Sequence, residues 1–219
     1  MARILSMSFG KNSIDCVLSG SIGNEVWVNR NGKNYRRSKP SRVSNPKSQS
    51  QLDHRARFTT MIRFLQPLTL FLRLGFKSVA MEMSPFNAAM SCNLKMAITG
   101  AYPDYVIDYP KAMVSRGSLP GALNPQAVSG STAEIAFSWD DNSSKIGARG
   151  DDKALLVVYN PVKQMAAWVI GGGHTRTGGN QTIILPSDFS GDEVHCYMAF
   201  QNASQTRVSD SQHVGSLVL

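Results

Sequence analysis

Residues 135–160 read IAFSWDDNSSKIGARGDDKALLVVYN, and this stretch decides the class of fold. Ile135, Phe137 and Trp139 alternate with small or polar residues, the period-two signature of a strand. A loop rich in Asp, Asn, Ser and Gly follows, and residues 154–160 then form a nearly continuous apolar run. Residues 165–170, 182–185, 194–200 and 214–219 add further short apolar pieces, again divided by Gly, Asn, Asp and Ser. Short strands with such turns predict an antiparallel β-sandwich of fibronectin type III or immunoglobulin character over residues 126–219. Trp139 and Tyr197 are its expected inter-sheet core residues, and Cys196 is expected as a small core hydrophobe rather than half of a disulfide. The glycine-rich stretch Gly171-Gly172-Gly173-His174 with Gly178-Gly179 is expected to be a mobile hairpin loop.

Upstream the texture changes. Val26, Trp27 and Val28 lead into Asn31-Gly32, and Tyr35 follows among basic residues. Asn-Gly signals a type I′ hairpin, because both central residues need positive φ. That turn sets Val28 against Tyr35 and Trp27 against Arg36, with Val26, Val28 and Tyr35 on one face. Residues 36–51, RRSKPSRVSNPKSQSQ, are polar, basic and interrupted twice by proline, and read as an arm. Phe58, Ile62 and Leu65, with Met61 alongside, predict an amphipathic helix ending near Pro67. A shorter helix through Leu68, Phe71 and Leu72 should stop at Gly75. A third has Ser84 as N-cap, Pro85 at its first position, Gly100 as its stop, and an apolar stripe of Phe86, Met90, Leu94 and Ala97 or Ile98. Residues 101–125 look like a connector with extended pieces at 105–109 and 112–116. The expected fold is therefore α+β in two parts: a basic hairpin, arm and helical region over 1–125, then the sandwich over 126–219.

Charge is unevenly spread along the 219 residues. Residues 1–80 hold 14 Lys+Arg against 3 Asp+Glu, a balance of +11, whereas residues 81–219 hold 9 against 12, a balance of −3. A basic segment attracts polyanions, since each phosphate it neutralises releases condensed counterions. Opposite charge on two parts of one chain also favours head-to-tail association of copies. No run of about 18 apolar residues is present, so no membrane span is expected. The N-terminus lacks a signal-type apolar stretch, so a cytoplasmic or virion-associated location is expected.

The blocks SIGNEVWVNRNGKNYRRSKPSRVSNPKSQSQ (21–51), SPFNAAMSCNLKMAITGAYPDYVIDYPKAMVSRGSLPGALNP (84–125), DDKALLVVYNP (151–161) and LPSDFSGDEVHCYMAF (185–200) resemble a Bacteroidota family of uncharacterised proteins. The likeness runs over most of the chain. It implies a bacterial or bacteriophage source, and it implies that hairpin, helices and β module belong together. It brings no catalytic residues with it.

Sites for chemistry are sparse in this sequence. Cys16, Cys92 and Cys196 and the four histidines His54, His174, His195 and His213 show no CxxC, HxxxH or HExxH spacing, so no zinc site and no cofactor is expected. The acidic pairs Asp140-Asp141 and Asp151-Asp152 lack an EF-hand pattern and read as solvated loop acids, which are also candidate partners for the arm. No GxSxG and no P-loop ending occurs, and no enzymatic activity is expected. What stands out is the basic aromatic front: Trp27 and Tyr35 among Arg30, Lys33, Arg36, Arg37, Lys39, Arg42 and Lys47. Aromatic faces stack unpaired bases while Arg and Lys follow the phosphate backbone. The expectation is a self-assembling structural protein, a phage virion or filament component, whose basic front grips a neighbouring subunit or DNA or RNA. A nucleic-acid-binding protein of small oligomeric state is the alternative.

Overall fold

The computed structural model describes residues 3–10, 13–30, 32–42, 47–130 and 133–219, with side chains from Ser19 onward. The chain forms two compact units, Met1–Lys47 and Ser48–Leu219. The boundary near residue 125 therefore falls inside the second unit.

The first unit is an antiparallel meander of β1 (Arg3–Gly10), β2 (Ser13–Ile22), β3 (Glu25–Arg30) and β4 (Lys33–Ser38), in that spatial order. Strands β1 and β2 were not foreseen from sequence. Across β3 and β4, Val28 pairs with Tyr35 and Trp27 with Arg36. Gly32 holds a φ of +77° at the turn, and Asn31 lies outside the described residues. The arm is shorter than 36–51. Val26 and Trp27 give Arg37 and Arg36 antiparallel partners, so the ladder runs on to Ser38, and the next helix begins at Gln49. Residues 43–46 of the intervening link lie outside the described residues.

The second unit has three layers. Helix α1 (Gln49–Leu65) starts where the Ser48 hydroxyl accepts the Gln51 N–H. Its buried face is Met61, Phe64 and Leu65, continued by Leu68, so the stripe is turned away from exposed Phe58. Helix α2 (Thr69–Gly75) ends as expected. A Cβ on Gly75 would sit 2.5 Å from the Val114 carbonyl oxygen, so the close approach of these two backbones requires glycine there. Helix α3 (Pro85–Met96) has the foreseen Ser84 cap, which accepts the Asn87 N–H at 3.2 Å. It stops at Ala97, before Gly100, because residues 98–101 are taken into the antiparallel pair β5 (Ile98–Ala101) and β6 (Asp104–Ile107). Gly100 supplies a positive φ within that pair.

The remaining strands are β7 (Leu123–Ser129), β8 (Glu134–Asp140), β9 (Lys153–Asn160), β10 (Met165–Thr175), β11 (Asn180–Ile184), β12 (Glu193–Gln201) and β13 (Gln212–Val218). They make an antiparallel sheet β10-β9-β12-β13 and a second antiparallel sheet β11-β8-β7. The protein is thus mixed α+β with mostly antiparallel sheets.

Strand β9 explains its own sequence. Ala154, Leu156 and Val158 pack with Ile135, Phe137 and Trp139 of β8, whereas Leu155, Val157 and Tyr159 pack with Phe64, Leu68 and Phe71 of the helical layer. A strand covered on both faces is apolar throughout rather than alternating. Strand β12 behaves likewise, and this corrects the assignment of Tyr197. Cys196, Met198 and Phe200 lie between the sheets, so the period of two turns Tyr197 and Ala199 toward the helices. Trp139 is buried between the sheets. The stretch Gly171-Gly172-Gly173 is not a hairpin loop, since β10 runs through it; the register slips between Ile170 and Thr175, and Gly171 and Gly173 take φ of +62° and +88° there.

Two outcomes follow from this layering. Residues 48–219 should unfold in one cooperative transition, whereas 126–219 alone exposes Leu155, Val157, Tyr159 and Tyr197 and should bind a hydrophobic dye and melt without cooperativity. A sharp calorimetric transition from the shorter fragment would show that the helices are dispensable. Trp139→Ala should cost about 3–5 kcal/mol in denaturant unfolding, as for other buried large aromatics.

Candidate polyanion and subunit interface

The nine residues singled out in the sequence divide among three places. Strand alternation puts Val26, Val28, Arg30, Lys33, Tyr35 and Arg37 on one face of β3–β4, with Trp27 and Arg36 on the other beside Glu25, Asn29, Asn34 and Ser38. Lys39, Arg42 and Lys47 lie in the exposed link. Trp27 and Tyr35 therefore cannot stack bases side by side.

The two faces differ in charge. Arg36 lies 3.5 Å from the Glu25 carboxylate, and its guanidinium stands 5.7 Å from the Trp27 ring centroid. An Asn29–Asn34 amide bond of 2.8 Å completes that face. The opposite face carries three cations around Tyr35, which is 54% exposed, and Val28, which is 44% exposed. Arg30 and Lys33 are directly paired across the strands. Strand β4 is also an edge, so among the described residues its outer backbone groups have no neighbouring strand.

The first unit concentrates the charge. Residues 1–47 hold 9 Lys+Arg against 2 Asp+Glu, a balance of +7, and residues 48–219 hold 14 against 13, a balance of +1. Every side chain described in residues 19–42 and at Lys47 is half-buried or exposed. A sheet gains stability by covering an apolar face, and the described part of this one covers none.

The acidic loops have other tasks. Asp152 is fully buried, and its Oδ2 accepts from Arg176 Nε at 3.0 Å and from the Arg149 N–H at 2.9 Å. It is not a solvated loop acid and is withdrawn from any contact with the arm. Asp140 accepts from the Asn124 amide, and Asp141 from the Ser143 N–H. Arg176, which sequence reasoning missed, is equally buried; burial pulls its guanidinium below the usual range, and Asp152 pulls it back. Its only sequence signal is a charge within a Gly-Thr-rich stretch.

His195 and His213 meet on neighbouring strands β12 and β13, Nδ1 to Nε2 at 3.3 Å. The Tyr109 ring stacks on His195 at 3.9 Å, and the Tyr197 hydroxyl donates to the Tyr109 carbonyl at 2.9 Å. Burial lowers both imidazole pKa values; at His195 the second imidazole adds to this, with Glu193 opposing, and Asp108 opposes it at His213. Among the described residues no three His, Cys, Asp or Glu side chains converge as a metal site. Among the described residues no helix is long and apolar enough to cross a membrane.

The fold and its surface define a two-unit α+β protein with a basic sheet at the front of the chain. The chain belongs to the Family of unknown function (DUF6266), whose model matches residues 17–215. No curated protein and no solved structure matches it.

Two measurements check these assignments. Asp152→Asn leaves the buried Arg176 charge without its counter-ion and should destabilise the second unit by about 3–5 kcal/mol. Lowered histidine pKa values mean that the unfolded chain binds more protons in mild acid. Stability is then full above about pH 6.5 and declines below it, until the folded-state values are passed. Melting curves from pH 7.5 to 5.5 should show this decline, and His195→Gln with His213→Gln should flatten it. An unchanged slope in the double variant would remove the histidines from the account.

Proposed function

We propose that this chain is a non-enzymatic, self-assembling structural protein whose basic N-terminal sheet and link dock onto an acidic surface of a neighbouring copy or onto nucleic acid. The observation that carries this reading is a first unit with a balance of +7 in which every side chain described in β3, β4 and the link is half-buried or exposed. A partner surface laid on β3 and β4 supplies both cover and opposite charge. Lys33, Arg36 and Arg37 along the β4 edge repel an identical edge, which favours a heterologous, head-to-tail contact over a symmetric one. A virion or filament component of a Bacteroidota bacterium or its phage is the setting in which such repeating contacts are used.

The second unit suits a spacer. We read β7–β13 as a fibronectin type III-like sandwich. In support, the first, second and fifth strands make one sheet and the third, fourth, sixth and seventh the other. Relative to an immunoglobulin constant domain, the fourth strand has moved across to the second sheet. Modules of this kind present loops and edges for contacts and are used for many unrelated functions.

A second reading, nucleic-acid binding by a small oligomer, is favoured by the Arg30–Lys33 juxtaposition beside exposed Tyr35. Sedimentation and negative-stain imaging separate the two. The assembly reading expects large regular particles from the full chain, and small species from residues 48–219 alone. The second expects a small full-length species that binds single-stranded DNA, with affinity falling steeply as salt rises. In that case Arg30→Ala, Lys33→Ala and Arg37→Ala together should reduce the log–log salt slope by about 2, at roughly 0.7 for each contact to a single strand. Full-length protein that neither assembles nor binds DNA would defeat both.

A further inference from the structure

Three sulfur atoms meet where helix α3 leaves the core. Cys92 Sγ lies 3.9 Å from Met96 Sδ, one helical turn further on, and 3.9 Å from Met113 Sδ. Arg116 brings Nη1 to 3.4 Å from the same Cys92 sulfur. Met113 is held in place by its own backbone. The buried Asn93 amide donates to the Met113 carbonyl at 2.8 Å, and its oxygen accepts the Met113 N–H at 2.8 Å. A third bond, from Asn93 to the Ala89 carbonyl at 3.0 Å, ties that side chain to α3. The arrangement is thus fixed from both sides, by helix spacing for Met96 and by Asn93 for Met113.

A cleft of about 350 Å³ reaches Cys92 from solvent, lined by Phe76, Val79, Met83, Lys95, Met96 and Arg116. Met96 and Met83 are 48% and 45% exposed, so flexible thioethers stand at its mouth rather than in the core. A metal–thiolate bond of about 2.3 Å places two ligand sulfurs about 3.8 Å apart in tetrahedral and about 4.0 Å apart in trigonal geometry. The two 3.9 Å separations fall between these values. One thiolate with two thioethers is a soft donor set, which selects Cu(I) over the harder divalent cations.

We propose that Cys92, Met96 and Met113 form a binding site for Cu(I). On binding, the Cys92 thiol releases its proton to solvent, and the thiolate and both thioether sulfurs each donate one electron pair to the ion. The thiolate then faces two cations, Cu(I) and the Arg116 guanidinium, and no electron is transferred. Arg116 donates an N–H to the thiolate sulfur, and Asn93 is a positioning residue that holds Met113 against the helix. Apolar Phe76 and Val79 in the cleft wall limit access of water to the ion.

The test uses the full chain carrying Cys16→Ser, without oxygen, with Cu(I) itself delivered in competition with a chromogenic chelator. Cys196 is fully buried and its thiol is pushed up to about 12, so Cys92 is the thiol near solvent in the second unit. One equivalent of Cu(I) is expected, with X-ray absorption showing three sulfur neighbours at about 2.3 Å and no nitrogen or oxygen. Cys92→Ser should abolish binding. Met96→Leu and Met113→Leu preserve apolar volume, and each should weaken binding by at least about tenfold, the loss usual even for an outer partner of a metal site. Melting curves of the metal-free variants establish that they fold. Wild-type affinity in the Met96→Leu, Met113→Leu double variant, nitrogen neighbours in the absorption spectrum, or no binding by the folded parent would each overturn the proposal.

Discussion

The second unit is closed by one buried ion pair. Arg176 and Asp152 are both withdrawn from water, a state that is costly unless every donor and acceptor finds a partner. Arg176 nearly achieves this: Nε goes to Asp152, Nη1 to the Gly121 carbonyl and the Asn142 amide oxygen, and Nη2 to the Pro120 carbonyl. Its guanidinium also lies 3.9 Å from the Phe200 ring centroid. Its own backbone takes part, accepting from Trp139 Nε1 at 2.8 Å and donating to the Asp152 carbonyl at 2.7 Å. One side chain thereby joins the segment before β7, the loop after β8, the start of β9 and the end of β12. Such a pair adds little net stability compared with an apolar filling. It does forbid alternative registers, because any slip of β10 strands a charge.

That constraint sits at one end of a sheet buried on both sides. Strands β9 and β12 divide their apolar residues between two cores, one against β7, β8 and β11 and one against the helices. The Tyr159 ring meets Phe64 edge-on at 4.9 Å, and Tyr197 reaches across to the Tyr109 carbonyl. The helical layer therefore continues the β core rather than forming a separate domain. This arrangement also fixes the segment from Tyr109 to Arg116, which crosses from the helices to β13: the Ser211 N–H donates to the Ser115 carbonyl, and the Ser115 hydroxyl to that of Ser209.

Local signals in the sequence carried much of this architecture. Ser84-Pro85 starts α3 because a cap and a ring with preset φ act through neighbouring residues alone, and the alternation of Ile135, Phe137 and Trp139 reports a single covered face. Features that depend on distant partners were not legible. The continuous run in β9 does not say which residues face which core, and the inter-sheet placement of Tyr197 failed for that reason. Arg176 carries no periodicity, and its partners at 120–121, 142 and 152 lie far away in sequence. For the candidate interface, the pairing of Val28 with Tyr35 follows from turn length, so the division of Trp27 and Tyr35 between faces was readable. The roles of the loop acids were not, since Asp151 and Asp152 are adjacent and identical in type, yet only Asp152 meets an arginine.

The distribution of charge gives the two units different physical characters. A body with a balance of +1 owes its stability to two packed cores and is little affected by salt. A unit holding +7 in 47 residues repels itself over the roughly 8 Å that screening allows at physiological ionic strength. Under the proposed reading, an anion or acidic surface laid over β3 and β4 offsets that repulsion. In that reading, a partner that engages only the folded sheet stabilises it by mass action. Under the proposed reading, assembly state can therefore change through the front of the chain while the three-layered body stays folded.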